Sequence, residues 1–294
     1  MSTASRPRRS ALYMPGANSR ALEKAKSLPA DTLIFDLEDA VAPEAKADAR
    51  NTVAAAVTAG GYGSREIIVR INGLDTEWGL DDLSAAVAAG PDAILAPKVI
   101  DGSDIERLSD AMTRAGAPDT MGLWVMIEMP KAILNIQDIA EAVGRTRLTA
   151  FVMGTNDLAK ELRAKPTPDR IAFQASLGLA VAAARAYDLV AIDGVFNAIG
   201  DEAGLIAECE QGRDLGFDGK TLIHPSQLAP CNTVFSPDPE DVARAHAIIA
   251  AFAEPENAGK GVIKVDGKMT EILHLDEAKR LVAVQAAIDA VAAD

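Results

Sequence analysis

The sequence is poor in cysteine and in aromatic residues. Its only two cysteines, Cys209 and Cys231, form no CxxC motif, and aromatic residues make up 4% of the chain. Without that motif the two thiols are predicted to be small buried residues, and the chain suits a reducing cytoplasm. Because 49% of the residues are hydrophobic while so few are aromatic, alanine, valine, leucine and isoleucine must fill the core.

Long apolar runs and a positive charge balance are also missing. No apolar stretch approaches the twenty or so residues of a membrane span, and the basic start MSTASRPRRS has no apolar segment of a secretory signal after it. The net charge is −14 and the pI is about 4.7, which argues against nucleic acid and anionic membranes as partners. A polyanionic ligand such as coenzyme A would need a local basic patch.

What the sequence does contain is a regular alternation of apolar strands and amphipathic helices. Eight such units span about 225 residues, which is near the usual size of a (β/α)8 barrel. Strand–helix alternation requires parallel pairing with right-handed crossovers, so a closed α/β TIM barrel is predicted for residues 1–235. An open doubly wound sheet is the weaker alternative, because no GxGxxG follows the first strand.

Residues 236–294 do not continue the repeat. They read as two helices around a hairpin whose tight turn is Asp266-Gly267. We interpret this C-terminal arm as a lid, or as an arm that reaches a partner subunit, and not as a separate domain.

Two strands of the predicted barrel end in carboxylates. Thr149–Leu158 reads as a strand that runs into a Gly-Thr-Asn-Asp turn with Asp157, and the apolar residues 123–127 lead directly to Glu128. If these strands are neighbours, both carboxylates emerge at the same end, where they repel unless a cation lies between them. The pattern therefore predicts a Mg²⁺ site. The alternative is that each residue caps the helix that follows it.

Other strand ends supply further charges at the mouth of the barrel, by which we mean its opening at the carboxyl ends of the strands. Arg70 is predicted to clamp a substrate carboxylate with its planar guanidinium, or else to form a salt bridge with Glu38 or Asp39. Glu38 and Asp39 are predicted to orient metal-bound water. Lys98 would stabilise an oxyanion or serve as a counter-ion.

The remaining strand ends, Asp193 and His224, reach the same mouth in this scheme, and His224 is as compatible with a structural role as with a catalytic one. No GxSxG elbow and no His/Cys zinc cluster is present in the sequence. A metal that polarises an α-hydroxy or α-keto acid is the chemistry that remains.

The order of several long motifs resembles a known family. The chain contains YMPG, FDLEDAVAPEAKADAR, VRINGLDTEWGLDD, APK, IE, MGTNDLA and GFDGKTLIHPSQ in this order. This series is similar to that of the citrate lyase β-subunit-like enzymes of the HpcH/HpaI aldolase superfamily, which include malyl-CoA lyases and (3S)-malyl-CoA thioesterases. The resemblance implies a TIM barrel, Mg²⁺, a CoA thioester substrate, and a homotrimer or homohexamer in which the C-terminal lid covers a neighbouring subunit's site.

The resemblance also implies roles for individual residues. Glu128 and Asp157 match the Mg²⁺ ligands, and Arg70 matches the arginine that holds the carboxylate and carbonyl of the oxo-acid. The family's carboxylate cradle matches the backbone of Gly154, Thr155 and Asn156. Its CoA contacts match the side chains of Tyr13, Arg20 and Lys24.

One position departs from the lyase pattern. Where the lyases carry a lid aspartate that acts as acid or base, this sequence has Glu271, which is one methylene longer. A longer carboxylate favours positioning a water against the thioester, so the leading prediction is hydrolysis of malyl-CoA to malate and CoA. The alternatives are a reversible carbon–carbon lyase that forms glyoxylate and acetyl-CoA, and a citrate lyase β-type subunit that needs a carrier protein.

Overall fold

Eight short parallel strands close into a barrel in chain order, and β8 pairs with β1 to complete the circle. This computed structural model therefore confirms the predicted (β/α)8 TIM barrel and excludes the open doubly wound sheet. The strands are β1 (Ser10–Pro15), β2 (Thr32–Asp36), β3 (Glu66–Arg70), β4 (Ala93–Ala96), β5 (Gly122–Ile127), β6 (Leu148–Met153), β7 (Val190–Asp193) and β8 (Gly219–Leu222).

The structure describes residues 6–292, and these fall into two compact units. One unit is the barrel, residues 8–235, and the other contains residues 236–292 together with residues 6 and 7. Residues 1–5, 293 and 294, which the predicted ranges 1–235 and 236–294 include, lie outside the described residues.

The barrel unit contains ten α-helices among the residues described. Two helices follow β6: α7 begins directly after the strand, because Leu158 and Ala159 pack into the outer core, and α8 comes after it. Asn18 caps α1 by accepting a hydrogen bond from the Ala21 N–H. The helices are α1 (Ser19–Ala25), α2 (Lys46–Ala59), α3 (Gly79–Ala89), α4 (Gly102–Arg114), α5 (Pro130–Leu134), α6 (Ile136–Glu141), α7 (Thr155–Leu162), α8 (Gln174–Ala186), α9 (Glu202–Leu215) and α10 (Leu228–Phe235).

Alternation along each strand divides the core into two layers. One side of every strand packs against the helices, and the other side fills the barrel interior with residues such as Ile34, Ile68, Trp124 and Met126. Since successive side chains alternate, the residue two places further along a strand points into the same interior. Four polar side chains at the carboxyl end continue this inward series: Tyr13, Asp36, Arg70 and Glu128.

Asp193 belongs to the outer layer, contrary to its predicted place at the mouth. Ile192 faces the interior, so the next side chain, Asp193, must face the helices. It lies close to α9, because a Cβ added to Gly212 would be 2.8 Å from Asp193 Oδ2. There Asp193 accepts hydrogen bonds from Arg170 at 2.8 Å and from Lys220 at 3.0 Å. Lys220 also donates to Glu208 at 2.6 Å, which completes a buried charge network between β7, β8 and the helices.

The second unit is built on a helix pair and a hairpin. Helices α11 (Pro239–Ala253) and α12 (Ile272–Ala292) share an apolar core around Ala245, Ile248 and Ala278. Between them, β9 (Val262–Val265) and β10 (Lys268–Glu271) form the predicted antiparallel hairpin, and its turn residues Asp266 and Gly267 have φ of 48° and 80°. Within residues 6–292, no helix combines the length and the apolar character that crossing a membrane requires.

The buried charge network generates a stability prediction. Asp193→Asn would leave the Lys220 and Arg170 cations buried with Glu208 as their remaining carboxylate, and breaking such a network costs about 3 to 5 kcal/mol. We expect the midpoint of urea unfolding to fall accordingly. Asp214→Asn is the matched control, since its ion pair with Arg213 is exposed. Equal midpoints for the two variants would contradict the assigned role of the network.

Candidate active site

Arg70 is held rigidly inside the barrel mouth. Its Nε and Nη2 donate to the two oxygens of Asp36 at 2.7 and 2.6 Å, and Nη1 lies 3.0 Å from Glu38 Oε2 and 3.5 Å from Asp39 Oδ2. The side chain is largely buried. The predicted salt bridges of Arg70 with Glu38 and Asp39 are therefore present, while a clamp on a substrate carboxylate stays a prediction.

Asp36 is the site residue that sequence reasoning missed. The same carboxylate that clamps Arg70 also accepts the N–H groups of Glu38 at 2.8 Å and Ala40 at 3.1 Å. It thus fixes both the arginine and the loop that carries Glu38 and Asp39. The signal was available in the sequence, because Asp36 follows Ile34 by two residues on an inward-facing strand.

Tyr13 forms the wall next to Arg70. Its ring centroid lies 4.8 Å from Arg70 Cζ, in cation–π geometry, and its hydroxyl points at Met126 Sδ at 3.5 Å. Burial raises the pKa of Tyr13 well above its usual range, so the phenol is neutral at physiological pH. Arg20 and Lys24 lie on α1, exposed to solvent and four residues apart on one face. CoA contacts at these three residues remain a prediction.

Lys98 connects the arginine side of the mouth to the carboxylate side. Its backbone has φ of 55°, an unusual value for a residue with a side chain, and its N–H donates to Glu128 Oε1 at 2.8 Å. Its ammonium group is hydrogen-bonded to Glu38. In this structure Lys98 is therefore a counter-ion of Glu38 and a backbone support for Glu128, while an oxyanion-stabilising role stays a prediction.

Glu128 and Asp157 follow neighbouring strands. Ile127 of β5 pairs in register with Met153 of β6, Glu128 comes directly after β5, and Asp157 lies in the first turn of α7. Neither residue is a helix cap: the N-cap positions of α5 and α7 are Met129 and Gly154, and neither helix has a side-chain cap. The alternative interpretation of the two carboxylates as capping residues is therefore wrong.

The electrostatics around Glu128 favour a cation beside its carboxyl group. Burial, followed by the charges of Glu38 and Asp157, raises the pKa of Glu128 to about 8, although the Lys98 N–H and ammonium oppose this rise. A carboxyl group that is 1% exposed and surrounded by like charges is unfavourable as an anion unless a positive ion joins it.

Gly154 provides the space for this carboxylate. A Cβ at that position would lie 2.4 Å from Glu128 Oε2, so only glycine fits. The Gly154 N–H donates to the Ile127 carbonyl at 3.1 Å and is not available to a ligand. The predicted carboxylate cradle is thus restricted to the N–H groups of Thr155 and Asn156, which open α7 without a side-chain cap.

The donor set fits Mg²⁺. Within residues 6–292, no group of three or more histidine, cysteine, aspartate or glutamate side chains is arranged to hold a metal. Mg²⁺ does not need such a cage, since it commonly takes one or two protein carboxylates and completes its shell with water and substrate oxygens. Glu128 and Asp157 supply hard oxygen ligands of that kind at one edge of the barrel.

Two other predicted residues, His224 and Glu271, make local contacts of their own. His224 Nδ1 accepts a hydrogen bond from the Ser226 N–H at 3.2 Å and caps a short 3₁₀ turn after β8, as the structural interpretation of that residue requires. Glu271 ends β10 in the second unit, where its side chain is exposed and its N–H donates to His274 Nδ1 at 3.0 Å. The catalytic role of Glu271 remains a prediction.

A closed parallel barrel with an arginine and two adjacent carboxylates at its carboxyl end is the arrangement of a TIM-barrel enzyme. A family model described as HpcH/HpaI aldolase/citrate lyase matches residues 9–225. The chain belongs to this family.

Similar proteins were found at the levels of sequence and fold. A (3S)-malyl-CoA thioesterase of Cereibacter sphaeroides strain KD131 is 53% identical over 284 residues, which cover 97% of this chain and 96% of the relative. The citrate lyase subunit beta of Escherichia coli strain K12 is 34% identical and covers 93% and 92%. The structure of CitE from Mycobacterium tuberculosis in complex with magnesium, acetoacetate and coenzyme A is similar in fold, with a TM-score of 0.75, 24% identity, and coverage of 94% of this chain and 97% of that one.

Gly154 generates a prediction for the site. Gly154→Ala should displace the Glu128 carboxylate while leaving the barrel folded, and we expect Mg²⁺ affinity, measured by calorimetry, to drop by about tenfold to a hundredfold. Gly178→Ala in α8 is the control, because a Cβ there meets no atom within 4 Å. If Gly154→Ala bound Mg²⁺ as the control does, the close approach of Gly154 and Glu128 would have no role in metal binding.

Proposed function

We propose that this protein is a Mg²⁺-dependent thioesterase that hydrolyses a malyl-CoA-type 3-hydroxyacyl-CoA to malate and CoA. The observation that carries the proposal is the fixed Arg70 clamp beside Glu128 and Asp157 at the barrel mouth. Its support from sequence is the 53% identity to a (3S)-malyl-CoA thioesterase over nearly the whole chain.

The barrel binds the acid end of the substrate in this proposal. Arg70, held by Asp36, offers its other guanidinium edge, which also contacts Glu38, to the carboxylate. The Thr155 and Asn156 N–H groups hold the same carboxylate from the side of α7. Glu128 and Asp157 would hold the Mg²⁺, which would supply a positive charge near the acid end of the substrate. Glu38 and Asp39 orient the water around it.

The hydrolytic step needs a base near the thioester. Glu271, brought by the C-terminal arm of a neighbouring subunit in a homotrimer or homohexamer, takes a proton from water as the water oxygen bonds to the thioester carbon. The carbon–sulfur bond then breaks, and the proton held by Glu271 passes to the thiolate. Tyr13, Arg20 and Lys24 contact the CoA portion, and Lys98 stands near enough to Glu128 to stabilise negative charge on the substrate.

A carbon–carbon lyase is the second candidate. Relatives named citrate lyase subunit beta are 34% identical to this chain, which places the two chemistries within one family. In that case the lid carboxylate would move the proton of an acyl-CoA enolate. The glutamate at position 271 favours hydrolysis, because its extra methylene moves the carboxylate by about an ångström from the place that the enolate proton requires. In the displaced position the carboxylate can hold a water against the thioester. A carrier-dependent subunit would turn over no free CoA ester. Each of these activities fits an enzyme of the cytoplasm.

A product assay tests the proposal. Purified protein given (3S)-malyl-CoA and Mg²⁺ should release free CoA thiol with no glyoxylate, both followed in the same reaction by a thiol reagent and a hydrazine reagent. Stoichiometric glyoxylate and acetyl-CoA would establish the lyase instead. Absence of turnover would contradict the proposal and point to a different acyl chain or to a carrier-dependent subunit. Asp157→Asn is the control variant, and its activity should be lost while its thermal unfolding is unchanged.

The raised pKa of Glu128 predicts how Mg²⁺ binding depends on pH. The pKa of Glu128 is about 8, so at lower pH its carboxyl group holds a proton that Mg²⁺ must displace. The affinity for Mg²⁺ should therefore rise by about tenfold per pH unit from pH 6 toward 8 and then level off. The raised pKa of Glu128 also makes the metal-free protein less stable as the pH rises toward about 8, because the folded state holds a proton that the unfolded state has released.

Calorimetry in two buffers of different ionisation enthalpy measures this proton. We expect about one proton released per Mg²⁺ near pH 7 and almost none above pH 9, and Glu128→Gln should remove the release. An affinity that does not change over this range would mean that Glu128 is already ionised in the metal-free protein.

A further inference from the structure

The register of the hairpin places Lys264 on the same face as Glu271. Val262 pairs with Glu271, and Lys264 pairs with Met269. Since directly opposed residues of antiparallel strands point to the same side, and every second residue shares that side, these four side chains form one face. All four are exposed, Met269 by 77% and Val262 by 48%. We call this the outer face of the hairpin.

The inner face has a different environment. It consists of Ile263, Val265, Lys268 and Thr270, of which Ile263 and Thr270 are buried at 7% and 4% exposure. Val265, Lys268 and Thr270 line a cavity against Arg244 and Ile248 of α11. The two lysines of the hairpin strands therefore have the same charge and both lie at the surface, but they point to opposite sides.

Lys264 has no ion-pair partner within residues 6–292. It is the diagonal neighbour of Glu271, and such neighbours in an antiparallel pair lie about 7 to 8 Å apart. A free ammonium group at this distance, in a chain whose net charge is −14, is suited to meet negative charge on whatever Glu271 acts on.

We propose that Lys264 is a substrate-contacting residue that stabilises the negative charge formed on the reacting thioester. The inference rests on the proposed function, in which Glu271 activates water. As the water oxygen bonds to the thioester carbon, Glu271 takes the proton and the carbonyl oxygen becomes an anion. When the carbon–sulfur bond breaks, that charge passes to sulfur, which receives the proton from Glu271. Lys264 remains protonated throughout and lowers the energy of both anions.

The two lysines of the hairpin give a matched test. Lys264→Met keeps the length and the apolar stem of the side chain while removing the charge, and Lys268→Met makes the same change on the inner face. With (3S)-malyl-CoA and Mg²⁺, we expect Lys264→Met to lower kcat by about a hundredfold with little change in KM, since one donor to a reacting oxyanion is worth about that much. Lys268→Met should stay within about twofold of the parent. Equal effects in the two variants would overturn the proposal.

A second substrate separates the thioester from the phosphates of CoA as the source of the negative charge. Malyl-pantetheine carries the same thioester and no phosphate. If Lys264 acts at the reacting group, the loss in kcat persists with malyl-pantetheine. If instead Lys264→Met raises KM for malyl-CoA and has no effect with malyl-pantetheine, the lysine binds a phosphate and the proposal is wrong.

Two further variants separate this inference from the function on which it rests. Glu271→Gln should abolish hydrolysis; if it keeps full activity, the proposed role of the hairpin fails as a whole. If Glu271→Gln is inactive while Lys264→Met equals Lys268→Met, only the present inference fails. Lys264→Arg restores a cation at the same position and should recover part of kcat, which a merely structural effect of the methionine would not explain.

Discussion

The mouth of the barrel depends on one ion pair, the bidentate contact between Arg70 and Asp36. Both residues follow inward-facing apolar positions, so strand periodicity alone turns them into the barrel. Once there, each would be costly without the other, because a buried charge needs a partner and satisfied hydrogen bonds. Asp36 meets both needs, since it also accepts the N–H groups of Glu38 and Ala40. The pair thereby fixes the Arg70 guanidinium and its neighbouring acidic loop in one arrangement.

From this pair a continuous chain of charges crosses the mouth. Arg70 Nη1 contacts Glu38, the ammonium of Lys98 contacts Glu38 from the other side, and the Lys98 N–H supports Glu128. This series of contacts ends at Glu128 with too little positive charge. The Lys98 N–H and ammonium group favour the Glu128 anion, whereas burial and two neighbouring carboxylates oppose it. The raised pKa of Glu128 is the physical expression of that deficit. The proposed divalent cation at Glu128 and Asp157 would balance it and would join the Arg70 ion pairs in one electrostatic arrangement.

Much of this could be predicted from the sequence, and the failures share a cause. The strand–helix alternation was enough to predict the barrel, and the strand ends identified Arg70, Glu128 and Asp157 as mouth residues. Asp193 was misplaced because the end of a strand says nothing about which way a side chain points; Ile192 faces inward, so Asp193 joins Lys220 and Arg170 in the outer layer. Asp36 was overlooked for the converse reason, since the acidic residues Glu38 and Asp39 after the strand drew attention from the one inside it. Helix α7 was missed because the residues Gly154-Thr155-Asn156-Asp157 are typical of a turn. In the structure they begin a helix, in which Leu158 and Ala159 are buried.

The same period-two rule that sorts charges in the barrel also sorts them in the hairpin. In the barrel it sends Arg70 inward and Asp193 outward, so that each meets a different set of partners. In the hairpin it separates Lys264 from Lys268, which are the same residue type and are both exposed. The turn fixes the register, and with φ of 48° and 80° at its two residues it leaves little freedom for a slip by one residue. A slip would put Glu271 on the side of α11. The Asp-Gly turn is therefore a condition for presenting Glu271 and Lys264 on one face, and in the proposed function it would act through strand register alone.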